Sequence, residues 1–220
     1  MKIRALILTL LSTILLGFHV HATEVEPTTP VVSEEEVVEN NELPIKQYNF
    51  DNVIGDPNAK VEIIEYASMS CVHCATFHKE VYPLLKEKYI DTGKVRFRFR
   101  DFPLGGPPAL YGAMLSHCVP ADKYHNFVSA LFKTQESWAR QKNFIEILSS
   151  IAKLGKMSAE DFDSCMKDQH LIERIKEGVE EAKEKYGVGS TPSFVINGTT
   201  YSNMTMEKFA SIIDPILEQE

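Results

Sequence analysis

Two cysteines separated by two residues, Cys71 and Cys74, are the most direct suggestion of chemistry in this chain of 220 residues. Thiols at this spacing can close a small disulfide or bind a metal ion. They lie where a β-prone run, 61–66, passes through a loop of small residues into a helical pattern. A helix start favours the thiolate of Cys71 through its unpaired N–H groups and its dipole, and His73 adds a group able to carry positive charge. The pattern therefore predicts a reactive dithiol.

Zinc or copper binding is the competing interpretation of the cysteine pair. A structural zinc site needs four ligands, usually from a second CxxC or an HxxxH pair. The other two cysteines, Cys118 and Cys165, stand alone, and His78 is the only other ligand type near the pair. The sequence therefore predicts neither a metal nor an organic cofactor, and a metal-binding exported protein remains the alternative of another class.

Composition places the chain among ordinary globular proteins, with 44% hydrophobic and 25% charged residues and a net charge of -8. Residues 23–43 carry seven of the 31 acidic residues and no basic residue, whereas residues 44–220 carry 24 acidic and 21 basic residues. The folded part thus has no basic excess, so we expect no binding to nucleic acid.

The first 22 residues have the pattern of a secretory signal peptide. Lys2 and Arg4 precede an apolar run, Ala5 to Phe18, and cleavage is expected after Ala22. The run is shorter than the roughly 20 residues that a membrane helix needs, although an uncleaved anchor is the alternative. Residues 23–43 are acidic and contain prolines, which predicts a disordered linker. We therefore expect an exported, soluble mature protein.

The elements after residue 60 begin with a strand, a helix and a second strand. The first strand covers Val61 to Tyr66, the helix covers Cys74 to Tyr89 with a kink at Pro83, and the second strand covers Lys94 to Phe102. This order is a βαβ unit, so the two strands should be parallel.

A long helical region then separates these strands from the last ones. Apolar residues recur at helical spacing from Leu110 to Met166. Strand character returns at Ser193 to Asn197, and Asn197-Gly198 predicts a hairpin turn before a final helix, Thr205 to Leu217. The order indicates an α/β protein whose sheet domain is interrupted by a helical insertion.

Two segments together resemble a known family. EYASMSCVHCATFH, from residue 65, and GVGSTPSFVING, from residue 187, resemble the DsbA group of periplasmic thiol-disulfide oxidoreductases, over about residues 48–217. The resemblance implies a thioredoxin fold, with a thioredoxin-like domain at 44–102 and 169–220 and the insertion at 103–168. It also implies a periplasmic location, cysteine-containing exported proteins as substrates and a membrane redox partner of the DsbB type.

The resemblance also assigns roles to residues. It makes Cys71 the exposed attacking thiol and Cys74 the buried resolving thiol of a redox-active disulfide, and Thr191-Pro192 a cis-proline loop that pairs with the substrate backbone. Val72 and Thr191 depart from the strong oxidase of the group, and a threonine before the proline is closer to its isomerase relatives. We therefore predict an exported thiol-disulfide oxidoreductase that introduces disulfides into secreted or periplasmic proteins, and a disulfide isomerase of the same fold is the alternative.

The effect of a stabilised Cys71 thiolate on the reduction potential can be estimated. Moving a thiol pKa from about 7, as in thioredoxin, to about 4 would raise the potential by about 80 mV, from about −270 to about −190 mV. This range predicts an oxidase or an isomerase, and a strong oxidant would need further contributions.

Glu65 is the next candidate for a catalytic role. It lies in a strand that should be covered on both faces, where an unpaired carboxylate is costly. By resemblance it matches the family's buried acid, which could take up the proton of Cys74 through water. The alternative is a surface salt bridge, because Glu62 shows that the strand tolerates acidic residues.

The remaining cysteines each lie on an apolar helical face. Buried free thiols are one interpretation of Cys118 and Cys165, but export to an oxidising compartment favours pairing. We predict a structural disulfide, which closes a loop of about 48 residues and could stabilise the fold by up to about 4 kcal/mol. We expect His78 to be an exposed helical residue, with tuning of the thiolate as the alternative, and no role is assigned to His117, His125 or His170.

Overall fold

The computed structural model describes residue 48 and residues 50–219 of the chain. The predicted signal peptide, 1–22, and the predicted linker, 23–43, lie outside the described residues. Within the described part, no helix combines the length and the apolar composition needed to cross a membrane.

A five-stranded mixed sheet lies at the centre of the described chain, with the strand order β1-β3-β2-β4-β5. The strands are β1 (Val53–Ile54), β2 (Val61–Ala67), β3 (Val95–Asp101), β4 (Ser193–Ile196) and β5 (Thr199–Ser202). β2 and β3 are parallel, as predicted, and the other neighbours are antiparallel. The two-residue strand β1 was not predicted because it is too short to show a periodic pattern.

The helical stretch that begins between the two cysteines runs from Val72 to Ile90. It consists of α1 (Val72–Thr76), a π-helical segment (Phe77–Val81), α2 (Tyr82–Leu85) and a second π-helical segment (Lys86–Ile90). Pro83 has no N–H to continue the hydrogen-bond pattern of the preceding turn, which accounts for the first π-helical segment but not for the second.

Between β3 and the last two strands, the regular elements of the described chain are all helical. They are α3 (Pro107–His117), a 3-10 turn (Ala121–Lys123), α4 (Tyr124–Lys133), α5 (Gln135–Trp138), α6 (Phe144–Leu154), α7 (Ala159–Lys167) and α8 (Gln169–Tyr186). The predicted insertion, 103–168, covers α3 to α7. The chain then returns to the sheet through Gly187, whose positive φ of 65° ends α8, and α9 (Met206–Glu218) follows the hairpin.

Alternation along the strands separates the two faces of the sheet. In β2, the odd-numbered side chains Val61, Ile63 and Glu65 are fully buried, and the two apolar ones belong to the main core. On the other face, Glu62 pairs with Arg96 and Arg98 of β3. The main core also includes buried side chains of the insertion helices, so the sheet and the insertion share one hydrophobic interior.

Candidate active site

Cys71 and Cys74 lie at the junction between the loop after β2 and α1. Cys71 is the residue immediately before the helix, with extended backbone angles, and its N–H donates to the carbonyl of Ser68 at 3.0 Å. Cys71 is partly exposed, whereas Cys74, one turn into the helix, is fully buried, and both are free thiols. A reagent from solvent therefore reaches the first sulfur and not the second.

The surroundings of the two sulfurs move their pKa values in opposite directions. A hydrogen bond from Cys74, the Thr191 side chain and the N–H groups of Cys74 and His73 together lower the pKa of Cys71 to about 5, against an opposing effect of burial. Burial, the hydrogen bond to Cys71 and the negative charge of Glu65 raise the pKa of Cys74 far above its usual value. At neutral pH the pair therefore holds one thiolate and one thiol.

His73 contributes to this arrangement through its backbone. Its side chain is exposed, next to the exposed Val72, and its N–H is one of the groups that lower the pKa of Cys71. The structure thus shows that the backbone N–H of His73, at the start of the helix, lowers the pKa of Cys71 as the sequence predicts. An effect of a charge on the His73 imidazole stays a prediction.

The loop before β4 lies against the dithiol. The Thr191-Pro192 peptide bond is cis, and the sulfur of Cys71 lies 3.4 Å from the carbonyl oxygen of Thr191. Two segments separated by 120 residues are thereby brought together. Thr191 is partly exposed beside the reactive sulfur.

Glu65 and His78 form a buried pair beneath this surface. Glu65 is 0% exposed and His78 is 2% exposed, and His78 Nε2 lies 2.9 Å from Glu65 Oε2. The His78 ring stacks on Phe132, with centroids 4.2 Å apart. The expectation of an exposed His78 was therefore wrong, and so was the alternative of a surface salt bridge for Glu65. Because His78 lies four residues after Cys74, the helical spacing could have placed it on the buried face.

We expect replacement of His78 with leucine to lower the free energy of unfolding by about 3 kcal/mol at neutral pH, because it leaves the buried carboxyl of Glu65 without this partner. Urea denaturation of the oxidised protein measures the change. The double variant Glu65→Leu, His78→Leu should recover part of the loss, since both polar groups are then absent. An unchanged stability in the single variant would show that the pair contributes nothing.

The loop between β2 and α1 is held by hydrogen bonds from its own serines and from a side chain of α5. The hydroxyls of Ser68 and Ser70 donate to the carbonyl of Leu104 at 2.6 and 3.0 Å. From α5, the buried Gln135 donates to the carbonyl oxygens of Met69 and Cys71, each at 2.9 Å. Nothing in the sequence points to Gln135, since a glutamine in a polar stretch does not reveal what it contacts.

The other cysteines lie in the insertion. Cys118 follows α3, Cys165 lies in α7, and the structure joins them in a disulfide with their Cα atoms 6.1 Å apart. The neighbouring His117 is buried with its Nε2 2.6 Å from Asp101 Oδ2. Burial lowers the pKa of His125 to about 4, and its Nε2 lies 3.1 Å from the carbonyl of Asn52. These two histidines therefore link the insertion to the sheet domain, which the sequence did not indicate.

Among residues 48 and 50–219, no three His, Cys, Asp or Glu side chains gather where they could hold a metal ion.

The strand order, the CxxC dithiol at the start of α1, the adjacent cis-proline loop and the helical insertion together define a dithiol protein of thioredoxin fold. Residues 49–215 match the family model described as Thioredoxin. The solved structure of Wolbachia pipientis alpha-DsbA1 is 34% identical and superposes with a TM-score of 0.71, covering 79% of this chain and 94% of that one.

Two further comparisons extend the match. A protein of Rickettsia typhi named as a protein-disulfide oxidoreductase is 30% identical over 173 residues, which are 78% of this chain and 64% of that protein. This chain thus spans somewhat less than two thirds of that relative. Oxidised BdbD of Bacillus subtilis, 21% identical over 78% of this chain and 96% of its own, shares the fold with a TM-score of 0.69. The chain belongs to the thioredoxin family and, within it, to the DsbA-like proteins.

Proposed function

We propose that the protein is an exported thiol-disulfide oxidoreductase that introduces disulfides into other exported proteins. The observation that carries the proposal is the partly exposed Cys71, whose pKa is lowered to about 5, beside the buried Cys74, whose pKa is raised. A thiolate of low pKa is a good leaving group, so a disulfide made with Cys71 is readily passed to another thiol.

The oxidase cycle starts from the Cys71-Cys74 disulfide. A substrate thiolate attacks Cys71, the more exposed sulfur, and forms a mixed disulfide while the bond to Cys74 breaks. Because its pKa lies far above neutral, Cys74 leaves with the electron pair and takes up a proton, which Glu65 would relay from solvent through water. A second substrate thiolate then attacks the substrate sulfur and releases Cys71 as a thiolate. The substrate has lost two electrons and gained a disulfide.

Substrate recognition is assigned to the surface around Cys71. The Thr191-Pro192 loop would pair with the substrate backbone beside the attacked sulfur. Val72 and Leu104 are 45% and 44% exposed near the dithiol loop, and they supply apolar contacts to an unfolded client. Such a site fits cysteine-containing chains that have not yet folded.

Export and reoxidation complete the proposal. Residues 1–22 have the pattern of a cleaved signal peptide, which supports a periplasmic location. The reduced dithiol must return its electrons to an acceptor, and by family resemblance this is a membrane protein of the DsbB type. Detection of the processed protein in a periplasmic extract tests the location, and an uncleaved Met1 would contradict the export of a mature form.

The pKa of Cys71 bounds the effect of its thiolate on the potential. A pKa of about 5, compared with about 7 in thioredoxin, corresponds to a rise in the reduction potential of about 50 mV. This rise is an upper bound, because solvent screening at the half-exposed sulfur reduces the effect of the thiolate. The resulting potential is about −220 mV or lower. Since only the reduced form gains this stabilisation, it is lost as the pH falls through about 5. Equilibration with glutathione at several pH values measures it.

The decisive experiment compares two refolding reactions. An oxidase should speed disulfide formation in reduced, unfolded ribonuclease, and it should act much more weakly on scrambled ribonuclease. The Cys71→Ser variant is the matched control. If the wild-type protein speeds neither reaction beyond this control, the proposed activity is wrong.

A disulfide isomerase is the second candidate function. It is favoured by Thr191, which precedes the cis-proline as in the isomerase relatives. The same pair of assays distinguishes the two, since an isomerase acts on scrambled ribonuclease and is used in its reduced form. A metal-binding role instead predicts stoichiometric uptake of zinc or copper by the reduced protein, without catalysis of exchange.

A further inference from the structure

Gln135 is a buried polar side chain that the exchange mechanism does not use. It is the first residue of the short helix α5 in the insertion and is 3% exposed. Burying an amide group is unfavourable unless its hydrogen-bonding groups are satisfied. The contacts of its amide nitrogen therefore indicate what the residue does.

The Gln135 amide nitrogen holds the active-site loop at two points. Nε2 lies 2.9 Å from the carbonyl oxygen of Met69 and 2.9 Å from that of Cys71. Since both partners are carbonyl oxygens, which only accept, the orientation of the amide is fixed with its nitrogen toward them. The two hydrogens of one NH2 group thus fix the Met69–Ser70 and Cys71–Val72 peptide groups.

One of these peptide groups connects Cys71 to α1. The Cys71 carbonyl also accepts from the N–H of Ala75 at 3.1 Å and so belongs to the first helical turn. The N–H groups of His73 and Cys74, which help to lower the pKa of Cys71, lie in the same turn. Fixing this carbonyl therefore fixes the direction of the donors that stabilise the thiolate.

The short helix α5, which carries Gln135, is tightly packed in the interior. Trp138, on the same short helix, is fully buried. A Cβ added at Gly112 would come within 2.8 Å of the Trp138 ring and 2.9 Å of Met69 Cβ. Gly112 lies in α3, so α3 packs closely against both α5 and the active-site loop at this point.

We propose that Gln135 is a positioning residue through which the helical insertion sets the reactivity of Cys71. It acts through the Cys71 carbonyl and the first turn of α1, and it does not touch the reacting sulfur. The inference rests on the proposed function only in taking Cys71 as the reacting thiol. It concerns the ionisation of that thiol and does not depend on which substrates are oxidised.

The test measures the pH midpoint of Cys71 alkylation in the full chain. Gln135→Met keeps the length of the side chain but removes both donors, and it should raise the midpoint by about one pH unit. Gln135→Glu should raise it further, because a carboxylate faces two carbonyl oxygens and opposes the thiolate. At pH 7, the equilibrium with glutathione should shift roughly tenfold toward the disulfide form in Gln135→Met.

Trp138→Phe is the matched control. It removes the hydrogen bond from Trp138 Nε1 to the Leu131 carbonyl, 3.1 Å long, and part of the buried ring of the same helix, but no contact to the loop carbonyls. It should lower stability without moving the Cys71 midpoint. If Gln135→Met leaves the midpoint unchanged, or if Trp138→Phe moves it equally, the positioning role is overturned and Gln135 is a packing residue.

A measurement on the unaltered protein covers the case in which the variants do not fold. The side-chain NH2 resonances of Gln135 should change with the same pH midpoint as Cys71 alkylation in the reduced protein. Resonances that do not respond to that titration would contradict the proposal. If the Gln135 resonances follow the Cys71 midpoint but the protein does not oxidise ribonuclease, the proposed function is rejected and the positioning role of Gln135 stands.

Discussion

Replacing Cys71 with serine should reduce the rate of thiol-disulfide exchange by at least about a thousandfold. A serine hydroxyl does not ionise near neutral pH and forms no disulfide, and the remaining Cys74 is fully buried with a raised pKa. Neither attack by substrate nor release of a thiolate is then available. The rate of oxidation of a dithiol peptide measures the loss.

Replacing Cys74 instead should trap the reaction halfway. Reduced Cys74→Ser retains the exposed sulfur of Cys71, which can still react with glutathione disulfide, but it lacks the neighbouring thiol that would resolve the product. The intramolecular attack benefits from a very high effective concentration, so its loss should leave a long-lived mixed disulfide. Mass spectrometry of peptides should place the adduct on Cys71. An adduct on Cys118 or Cys165, or equal activity in both variants, would contradict the assigned order of the two sulfurs.

Removing the Cys118-Cys165 disulfide is expected to have the largest effect on stability. The bond joins residues 47 apart, and closing a loop of that size lowers the entropy of the unfolded chain by an amount worth about 4 kcal/mol. It also ties the end of α3 to α7. The variant Cys118→Ala, Cys165→Ala should therefore melt about 8–16 °C lower, as expected for a domain of this size.

Activity at the dithiol provides the internal control for this variant. Well below its melting temperature, the double alanine variant should retain the alkylation midpoint of Cys71, since neither replaced sulfur contributes to the Cys71 site in the structure. Urea denaturation of the wild-type and variant proteins, both with Cys71 and Cys74 reduced, gives the stability difference. A difference below about 1 kcal/mol would show that the disulfide does not constrain the unfolded chain.

The parts of the fold that follow local patterns could be predicted from the sequence. Val61 to Ala67 and Val95 to Asp101 carry β-prone residues in the right order for a parallel pair, and the pair forms. The Asn197-Gly198 turn requires positive φ at both residues, which these two residue types tolerate, and both angles are positive. Such features depend on a few neighbouring residues and therefore leave a signal in the sequence.

The contacts that support the dithiol depend on residues far apart in the chain. Gln135 reaches the Cys71 carbonyl across 64 residues, and nothing in its own neighbourhood in the sequence indicates this. His78 pairs with Glu65 because the helix after Cys74 turns that side chain toward β2. In both cases the sequence does not reveal the burial of a polar residue, because that burial can be inferred only when the partner of the polar group is known.

The fold makes the sulfur of Cys71 ionise easily. The rate of iodoacetamide alkylation of Cys71 in the reduced protein between pH 3 and 10 measures this property. We expect a rate that is half its maximum near pH 5 and constant from pH 6.5 to 8. A rate that keeps rising to pH 9, as for a thiol in an unfolded chain, would contradict it.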